Sequence, residues 1–556
     1  MKLNQPLYLL SIYSAVVLLF SCQEPLPKAD LILVNARIWT ANELQPSAQS
    51  MAVVADTILA IGTNEELAKY KGAETEIKDV ENRFVTPGFI DSHVHLIMGG
   101  NSLMNVSLRD AKTPEEFTKR IANFSSTLDP GTWILEGNWD HTLWGGELPT
   151  KDWIDVYTKD TPVAIYRLDG HMILANSAAL AFAGVDKNTP DIPNGEIVRN
   201  PDGTPTGILK SNAMNLVLAK IPSLTKEQKT IAIQKATDYF LSKGVTSVHD
   251  VDSIGMLEVA QQLLDKDALS LRIYSATPLN RWKDAIQIKD VNPKWLKTGI
   301  VKGFMDGSLG SHTAAFNEPY TDKADDKGFF IFKPKDVYKW VSNADKANLQ
   351  IQVHAIGDNA INSLLNIYER VIQENGKRDR RLRIEHVQHI SEQDIARFAS
   401  LGVIASVQPY HCIDDGRWAE ELIGPERIQT TYAFKSLLDA NTTIAFGSDW
   451  PVAPGSPIDG MYAAVTRRTL DDINPDGWVP DQKISMVQAL KAYTKNAAYA
   501  SFDDDIKGSL EPGKLADFVI LSDDLRTVDP PKIRDVKVLA TYIGGKKVFD
   551  LSTEDH

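Results

Sequence analysis

Short apolar segments alternate with helix-like segments through most of the chain, and this alternation restricts the possible folds more than any other feature of the sequence. A strand followed by a helix and then another strand is typical of a parallel β-sheet. Eight candidate strands follow one another, near residues 87–95, 244–250, 271–277, 299–305, 350–355, 382–387, 402–408 and 442–449. Eight such units predict a (β/α)8 TIM-type barrel, in which functional side chains lie at the C-terminal ends of the strands.

The barrel pattern leaves out the two ends of the chain and a long segment after the first strand. Residues 28–86 and 506–550 both consist of short β-type runs, and Gly544-Gly545 predicts a hairpin turn in the second of them. We expect these two segments to form one small composite β-sandwich beside the barrel domain, residues 87–505. The segment of about 101–230 is too long for one crossover helix, so it predicts a large insertion.

The predicted insertion contains four of the 11 tryptophans of the chain, Trp133, Trp139, Trp144 and Trp153. Two interpretations are open. With Trp418 and Trp450 these rings either line an apolar pocket, which would favour apolar substrates, or they form the core of the insertion itself.

Residues 1–22 have the pattern of a targeting segment rather than of a folded domain. Lys2 supplies a positive charge, and residues 7–20 form an apolar run that is short for a membrane span. The run leads into the sequence LFSC, which ends at Cys22 and resembles a bacterial lipobox. This resemblance implies a signal peptide and a lipid on Cys22 that holds the protein to a membrane of the bacterial cell envelope, on its periplasmic face or outer surface. An ordinary signal peptide with a coincidental cysteine is the alternative.

The composition argues against a nucleic-acid partner and against a thiolate metal cluster. Lys and Arg number 59 and Asp and Glu number 73, so the net charge is −14. Nucleic-acid binding needs clustered positive charge instead. Cys22 and Cys412 are the only cysteines in the 556 residues. Any metal would therefore have to be bound mainly by histidines and carboxylates.

Ligand-type side chains lie where the barrel prediction places functional residues. His93 and His95 alternate at the end of the first strand, so both can point to the same side. Lys302 lies in an otherwise apolar fourth strand, where an unpaired charge is costly. The fifth, sixth and eighth strands each end in one such residue, namely His354, His386 and Asp449. These side chains either converge on a metal or form a satisfied polar core.

Taken together, these segments resemble the amidohydrolase superfamily, and within it amidohydrolase family 3, the branch that includes N-substituted formamide deformylase. The resemblance covers about residues 28–550. The matching motifs are PGFIDSHVH (87–95), RLDGHMILANSAAL (167–180), GVTSVHD (244–250), VKGFMDGSLGSHTA (301–314), HAIGD (354–358), RIEHVQ (383–388), GSDWPV (447–452) and GSLEPGKLADFVIL (508–521).

The resemblance implies ligands for two divalent metal ions. They are His93, His95 and Asp449 for the first ion, His354 and His386 for the second, and Lys302, carbamylated by CO2, as a bridge between them. A carbamylated lysine is an anion beside cations, which would explain a lysine inside this strand. Zinc is the first expectation, because imidazole and carboxylate ligands suit it. Manganese, iron or cobalt, and a site with a single metal, remain open.

The implied activity is hydrolysis of a non-peptide, amide-type C–N bond in a small-molecule substrate. A metal-activated hydroxide would attack the carbonyl carbon, and Asp449 would carry the proton from the water to the departing nitrogen. The alternatives are hydrolysis of an ester, lactone or carbamate at the same site, deamination of a nucleobase, and a binding lipoprotein that has lost catalysis. A homodimer is implied by the family alone.

Further side chains are expected near the substrate. His171, in the motif DGH of the insertion, would reach the substrate as a second catalytic residue, and a structural hydrogen bond is its alternative role. The expected substrate contacts after the fourth and seventh strands are Asp306, His312, Gln408, Tyr410 and His411.

Overall fold

The computed structural model describes residues 26–128, 131–167, 172–193, 195–251, 255–288 and 292–553. The expected signal peptide and the lipid attachment site at Cys22 lie outside these residues, so they stay predictions. Within the described part of the chain, every helix is too short or too polar to cross a lipid bilayer.

An eight-stranded parallel sheet forms the centre of the molecule and confirms the predicted barrel. Its strands are, in chain order, Phe89–Val94, Val245–Asp250, Arg272–Pro278, Leu296–Phe304, Gln350–Ala355, Arg383–His386, Ile404–Val407 and Ile444–Phe446. Each strand pairs with the next one along the chain. Val94 pairs with Trp450, just beyond the eighth strand, so the first and last strands meet and the sheet nearly closes.

Helices connect the barrel strands and cover the outside of the barrel. They are Leu96–Leu103, Lys226–Ser242, Met256–Asp265, Trp282–Ala285, Pro334–Lys346, Asp358–Asn375, Glu392–Leu401, Pro409–Asp415, Ala419–Arg427, Phe434–Asp439, Pro457–Thr466, Met486–Ala492 and Lys495–Tyr499. Asp358–Asn375 shows why they pack: Ile361, Leu364, Leu365 and Tyr368 are buried on one face. This spacing of three and four residues makes the apolar stripe of an amphipathic helix.

The two chain ends form one two-sheet unit beside the barrel, as expected. One sheet contains Leu31–Val34, Ser50–Val54, Thr57–Gly62 and Glu76–Asp79. The other contains Arg37–Trp39, Ser47–Ala48, Phe84–Pro87, Phe518–Leu521, Val538–Ile543 and Lys546–Asp550. Apolar residues of both sheets share one buried cluster. The last two strands are antiparallel, and Gly544 and Gly545 between them have φ of 54° and 75°, values that favour glycine.

The insertion after the first barrel strand has a sheet and a core of its own. Its five strands are Ile134–Trp139, Val163–Arg167, Met172–Ala175, Gly195–Arg199 and Pro205–Ser211. Its helices are Pro114–Ser125, Lys151–Asp155, Ser177–Ala183 and Asn215–Leu218.

The tryptophans of the insertion belong to its own core. Trp139 is fully buried, and Trp144 and Trp153 pack with it around Phe117. Trp133 packs against the second buried cluster of the insertion. The structure thus favours the core interpretation of these rings over the interpretation as a pocket wall.

A buried ion pair joins the barrel to the two-sheet unit. Arg272, on the third barrel strand, donates from Nε and Nη2 to the two carboxylate oxygens of Asp517 at 2.7 and 2.9 Å. The Gly544 N–H donates to the same carboxylate at 2.8 Å, and the guanidinium lies 4.5 Å from the centre of the Trp295 ring. Both ionic groups are almost completely buried, so each depends on the other for its charge to be stabilised.

We therefore expect Asp517→Ala to destabilise the protein by about 3–5 kcal/mol, because it leaves the Arg272 guanidinium buried and unpaired. The urea midpoint of unfolding measures the effect. Asp284→Ala is the matched control, since the Asp284–Arg281 pair is about half exposed and should contribute about 0–1 kcal/mol. Equal, small shifts for the two variants would contradict a structural role of the buried pair.

Candidate metal centre

The six predicted ligands lie together at the C-terminal ends of the barrel strands. The ring centres of His93 and His386 are 5.0 Å apart, and those of His354 and His386 are 4.3 Å apart. Lys302 and Asp449 both approach the His93 ring. Gly447 permits this close packing, because a Cβ atom there would lie 2.6 Å from the His93 backbone nitrogen. The parallel strands thus bring together residues that are far apart in the sequence.

His93, His95 and Asp449 form the first group able to hold a metal ion. The Asp449 Oδ1 atom lies 3.1 Å from His95 Nε2 and 3.4 Å from His93 Nε2. One potential ligand atom from each of the three side chains lies within 4.8 Å of the others. These are the three residues expected to bind the first ion.

Asp449 also takes part in a second group, with His386 and His411. His411 Nε2 lies 4.0 Å from Asp449 Oδ2, and the His386 and His411 rings are parallel at 6.3 Å. His411 was expected to contact substrate, and His354 was expected to be the partner of His386. His354 Nε2 lies 2.9 Å from the Gly307 carbonyl oxygen, to which it donates, and this leaves Nδ1 of that ring unprotonated.

Two of these residues have unusual backbone conformations. His386 has φ of 75° and Asp449 has φ of 61°, values that side-chain-bearing residues adopt rarely. Such strain costs of the order of 1–3 kcal/mol per residue and is concentrated at functional sites. At His386 it also ends the strand alternation, so Glu385 and His386 both face the interior of the barrel mouth.

Glu385 and Arg383 hold His93 from beneath. His93 Nδ1 lies 2.5 Å from Glu385 Oε2, and Arg383 Nε donates to Glu385 Oε1 at 3.0 Å. The same guanidinium donates to the Ser92 carbonyl oxygen and Ser406 Oγ, at 2.6 and 2.9 Å, and contacts His249 Nδ1 at 2.9 Å. All these groups are buried. The Glu385 carboxylate therefore fixes the proton of His93 on Nδ1 and leaves Nε2 facing Asp449.

Glu385 is a functional residue that the sequence motifs did not predict. Strict alternation along the sixth strand would place Glu385 and His386 on opposite faces, and the positive φ of His386 removes that rule. An available signal was the pair of opposite charges, Arg383 and Glu385, two residues apart in a strand that barrel packing should bury. In the structure Arg383 is the ion-pair partner of Glu385.

Burial sets the protonation of the site. It lowers the pKa of His93 to about 4 and that of His354 to about 3, and it holds the pKa of His386 well below its usual range. Burial alone would raise the pKa of Asp449, but His93 and the hydrogen bond from His95 outweigh it and hold that pKa well below its usual range. At neutral pH these three histidines are therefore neutral imidazoles and Asp449 is an ionised carboxylate.

These residues fit a divalent metal ion. Neutral imidazole nitrogens and carboxylate oxygens are ligands that zinc and related metals prefer. In addition, His386 Nδ1 and His411 Nε2 are buried and have no hydrogen-bond partner among the described residues. Buried polar atoms are normally satisfied, so both nitrogens are accounted for if a cation or water binds there.

Lys302 is buried in the fourth strand, and its Nζ lies 3.1 Å from His93 Nε2. Because Nδ1 of His93 donates to Glu385, Nε2 accepts this hydrogen bond from the lysine. The same Nε2 atom is the predicted metal ligand. The amine nitrogen of Lys302 and a metal cation therefore compete for one nitrogen atom at this point.

The residues expected to contact substrate after the fourth strand lie in different surroundings. Asp306 is buried, and its carboxylate accepts from the backbone N–H groups of Ala315, Ile356 and Gly357 at 2.8–2.9 Å. It holds the loop, and this placement does not favour a substrate contact. His312 is partly exposed, and its Nε2 lies 2.9 Å from Asp322 Oδ2.

The other expected residues lie at the seventh strand or outside the described chain. Gln408 is buried, with Nε2 3.4 Å from the Ser406 carbonyl oxygen. Tyr410 is half-buried in the first turn of the helix Pro409–Asp415, where burial raises its pKa. Residues 168–171 are not described, so the expected role of His171 stays a prediction.

A (β/α)8 barrel with histidine and aspartate ligand groups at its mouth defines a class of metal-dependent hydrolases. The sequence model of one family, described as "Amidohydrolase family", matches residues 76–549. The chain belongs to this amidohydrolase family.

Individual proteins are similar to this chain over most of its length. Protein LONG AFTER FAR-RED 3 of Arabidopsis thaliana is 40% identical over 540 residues, which cover 94% of this chain and 92% of the relative. N-substituted formamide deformylase of Arthrobacter pascens is 28% identical over 550 residues, which cover 93% and 97% of the two chains. The crystal structure of an uncharacterized metal-dependent hydrolase from Pyrococcus horikoshii matches with a TM-score of 0.77 and 28% identity, over 90% of this chain and 99% of that one.

We expect Glu385→Gln to weaken metal binding by about 10–100-fold, because the neutral amide no longer holds the His93 proton as a carboxylate does. Competition with a chelator measures the Kd for zinc. Glu385→Asp, which keeps the charge, should recover part of the affinity. Glu369→Gln is the control, since Glu369 pairs with Arg397 at the surface. Unchanged affinity in Glu385→Gln, with the same melting temperature as wild type, would rule out this role.

Proposed function

We propose that the protein hydrolyses a non-peptide, amide-type C–N bond in a small molecule with the help of two divalent metal ions. The observation that carries this proposal is the position of Asp449, which is shared by two groups of potential metal ligands at the mouth of the barrel. The name of the deformylase relative, which covers nearly the whole chain, supports a C–N bond as the target.

His93, His95 and Asp449 would hold the first ion, and His386, with His354 or His411, the second. Bound there, the ions would supply a water molecule acidified to near neutral pH and would polarise the substrate carbonyl. Zinc is the proposed metal because the ligand set is imidazole and carboxylate.

We assign Lys302 as a bridging ligand in carbamylated form. The neutral Nζ would add to the carbon of CO2, forming one N–C bond, and one proton would leave the nitrogen for solvent. The product is an anion with two oxygen atoms in place of an amine. This change would remove the competition between Nζ and a metal ion for His93 Nε2, and it would place negative charge beside the two cations.

Asp449 would move the proton. Its carboxylate is ionised and lies against both ligand groups, so it can accept a proton from the attacking water. It would then deliver that proton to the nitrogen, which is a poor leaving group unless it is protonated. His411, Gln408 and Tyr410 are the proposed substrate contacts on this side of the mouth, and His171 is the proposed contact from the insertion.

The test is turnover of matched substrates by the zinc-loaded protein prepared with bicarbonate. N-formyl and N-acyl amines should be hydrolysed, and Asp449→Asn should lower kcat by about 10²–10⁴-fold, because the proton carrier is lost. Asp529→Asn changes an exposed carboxylate and should have no effect.

The corresponding esters and lactones are assayed beside the amides. If the protein hydrolyses these substrates and no amide, the proposed C–N activity is wrong and the ester or lactone alternative is correct. If metal-loaded protein hydrolyses neither the amides nor the esters and lactones, the proposal that it is a hydrolase of these bonds is wrong.

A further inference from the structure

A partly exposed aromatic ring stands beside the metal ligands. Phe304 ends the fourth barrel strand, two residues after Lys302, so the two side chains lie on the same face of the strand. Its ring centre lies 5.4 Å from that of His354 and 4.9 Å from Lys302 Nζ. The Phe304 residue is nevertheless 36% exposed. An aromatic ring at the edge of a ligand set, with one side open, can contact whatever binds there.

A second segment with exposed apolar residues lies beside the end of this strand. The Ile331 N–H donates to the Met305 carbonyl oxygen at 2.8 Å, which places Ile331 beside the end of the same strand. Ile331 and Phe329, two residues before it, are 44% and 56% exposed. We call Phe304, Phe329 and Ile331 the apolar rim. Single exposed apolar residues are ordinary, but a group of large ones at the border of a site indicates a binding surface.

The exposed ligands of the metal centre indicate which part of a substrate would contact this rim. Several ligand side chains are partly exposed, whereas that of His93 is 1% exposed. The exposed fractions are 22% for His95, 12% for His354, 11% for His411 and 10% for Asp449. His354 therefore lies on a side of the metal centre that a substrate can reach. Phe304 contacts His354 on that side, so a group attached close to the reacting bond would lie against the Phe304 ring.

We propose that Phe304, with Ile331 and Phe329 beyond it, forms an apolar subsite, and that the substrate carries an aromatic or bulky aliphatic group next to its scissile bond. This inference rests on the proposed function and specifies its substrate class. The apolar contact with Phe304 lowers the free energy of binding of such a group and leaves small substrates such as N-acyl methylamines without an equivalent contact.

The first experiment compares turnover of N-acyl amines in which the acyl or the amine substituent is methyl, cyclohexyl or phenyl. Wild type should prefer a bulky substituent on one side by about 10–100-fold in kcat/KM, and Phe304→Ala should abolish that preference. Turnover of the all-methyl compound and the metal content should not change. Phe304→Leu, which keeps an apolar side chain, should retain the preference for cyclohexyl.

The matched control is Phe182→Ala, because Phe182 is an equally large, 57% exposed side chain on a helix of the insertion. It should keep the wild-type preference. An equal loss of turnover for small and bulky substrates in Phe304→Ala, or an unchanged preference, would overturn the subsite.

The second experiment does not need turnover. Calorimetry compares binding of benzohydroxamate and acetohydroxamate, which share a metal-chelating group and differ in their apolar substituent. Wild type should bind benzohydroxamate about 10–100-fold more tightly than acetohydroxamate, and Phe304→Ala should lose that difference. If the difference is lost while no amide is hydrolysed by wild type, the proposed activity fails and the subsite stands. If the two ligands bind equally to wild type, the subsite is wrong whatever the activity.

Discussion

The hydrogen-bonded pair of Arg383 and Glu385 is the interaction on which the metal centre depends. A fully buried guanidinium is costly unless its charge and its donors are matched. Here a carboxylate matches the charge, and a carbonyl oxygen, a hydroxyl and an imidazole bring the number of polar contacts to four. These partners belong to the first, second, sixth and seventh strands. The pair therefore fixes the positions of the strands relative to one another and, through Glu385, the tautomer of His93.

The metal ligands above this pair, in contrast, are not fully matched by other groups of the protein. The imidazoles of His93, His354 and His386 are neutral because burial lowers their pKa values, and Asp449 is ionised. Two histidine nitrogens have no hydrogen-bond partner among the described residues. The charges of Arg383 and Glu385 are thus paired within the protein, whereas the ligand groups above them remain able to bind a cation and a substrate. The exposed ring of Phe304 adds an apolar surface beside His354, one of the partly exposed ligands.

The sequence was sufficient for the architecture and for the convergence of the predicted ligands. The spacing of apolar runs predicts eight strands, and the alternation of His93 and His95 predicts two side chains on one face. It was not sufficient where the backbone departs from regular geometry. The positive φ of His386 brings Glu385 and His386 to the same side. His411 lies close to Asp449 because the helix Pro409–Asp415 begins directly after the seventh strand, and the hydrophobic periodicity of the sequence does not define where that helix begins. The tryptophans of the insertion show a further limit, because composition alone does not distinguish a core from a pocket wall.

The most direct test of this account is the anomalous X-ray scattering of crystals of the zinc-loaded protein, prepared with bicarbonate and measured on both sides of the zinc edge. The account predicts two peaks at the barrel mouth. One should lie about 2.0–2.2 Å from His93 Nε2, His95 Nε2 and an Asp449 oxygen, and the other should lie at a similar distance from a His386 nitrogen. Electron density should continue from Lys302 Nζ to both peaks. Zinc bound elsewhere would contradict the proposed metal centre. So would an unmodified Lys302 amine that is still hydrogen-bonded to His93 in the zinc-loaded protein.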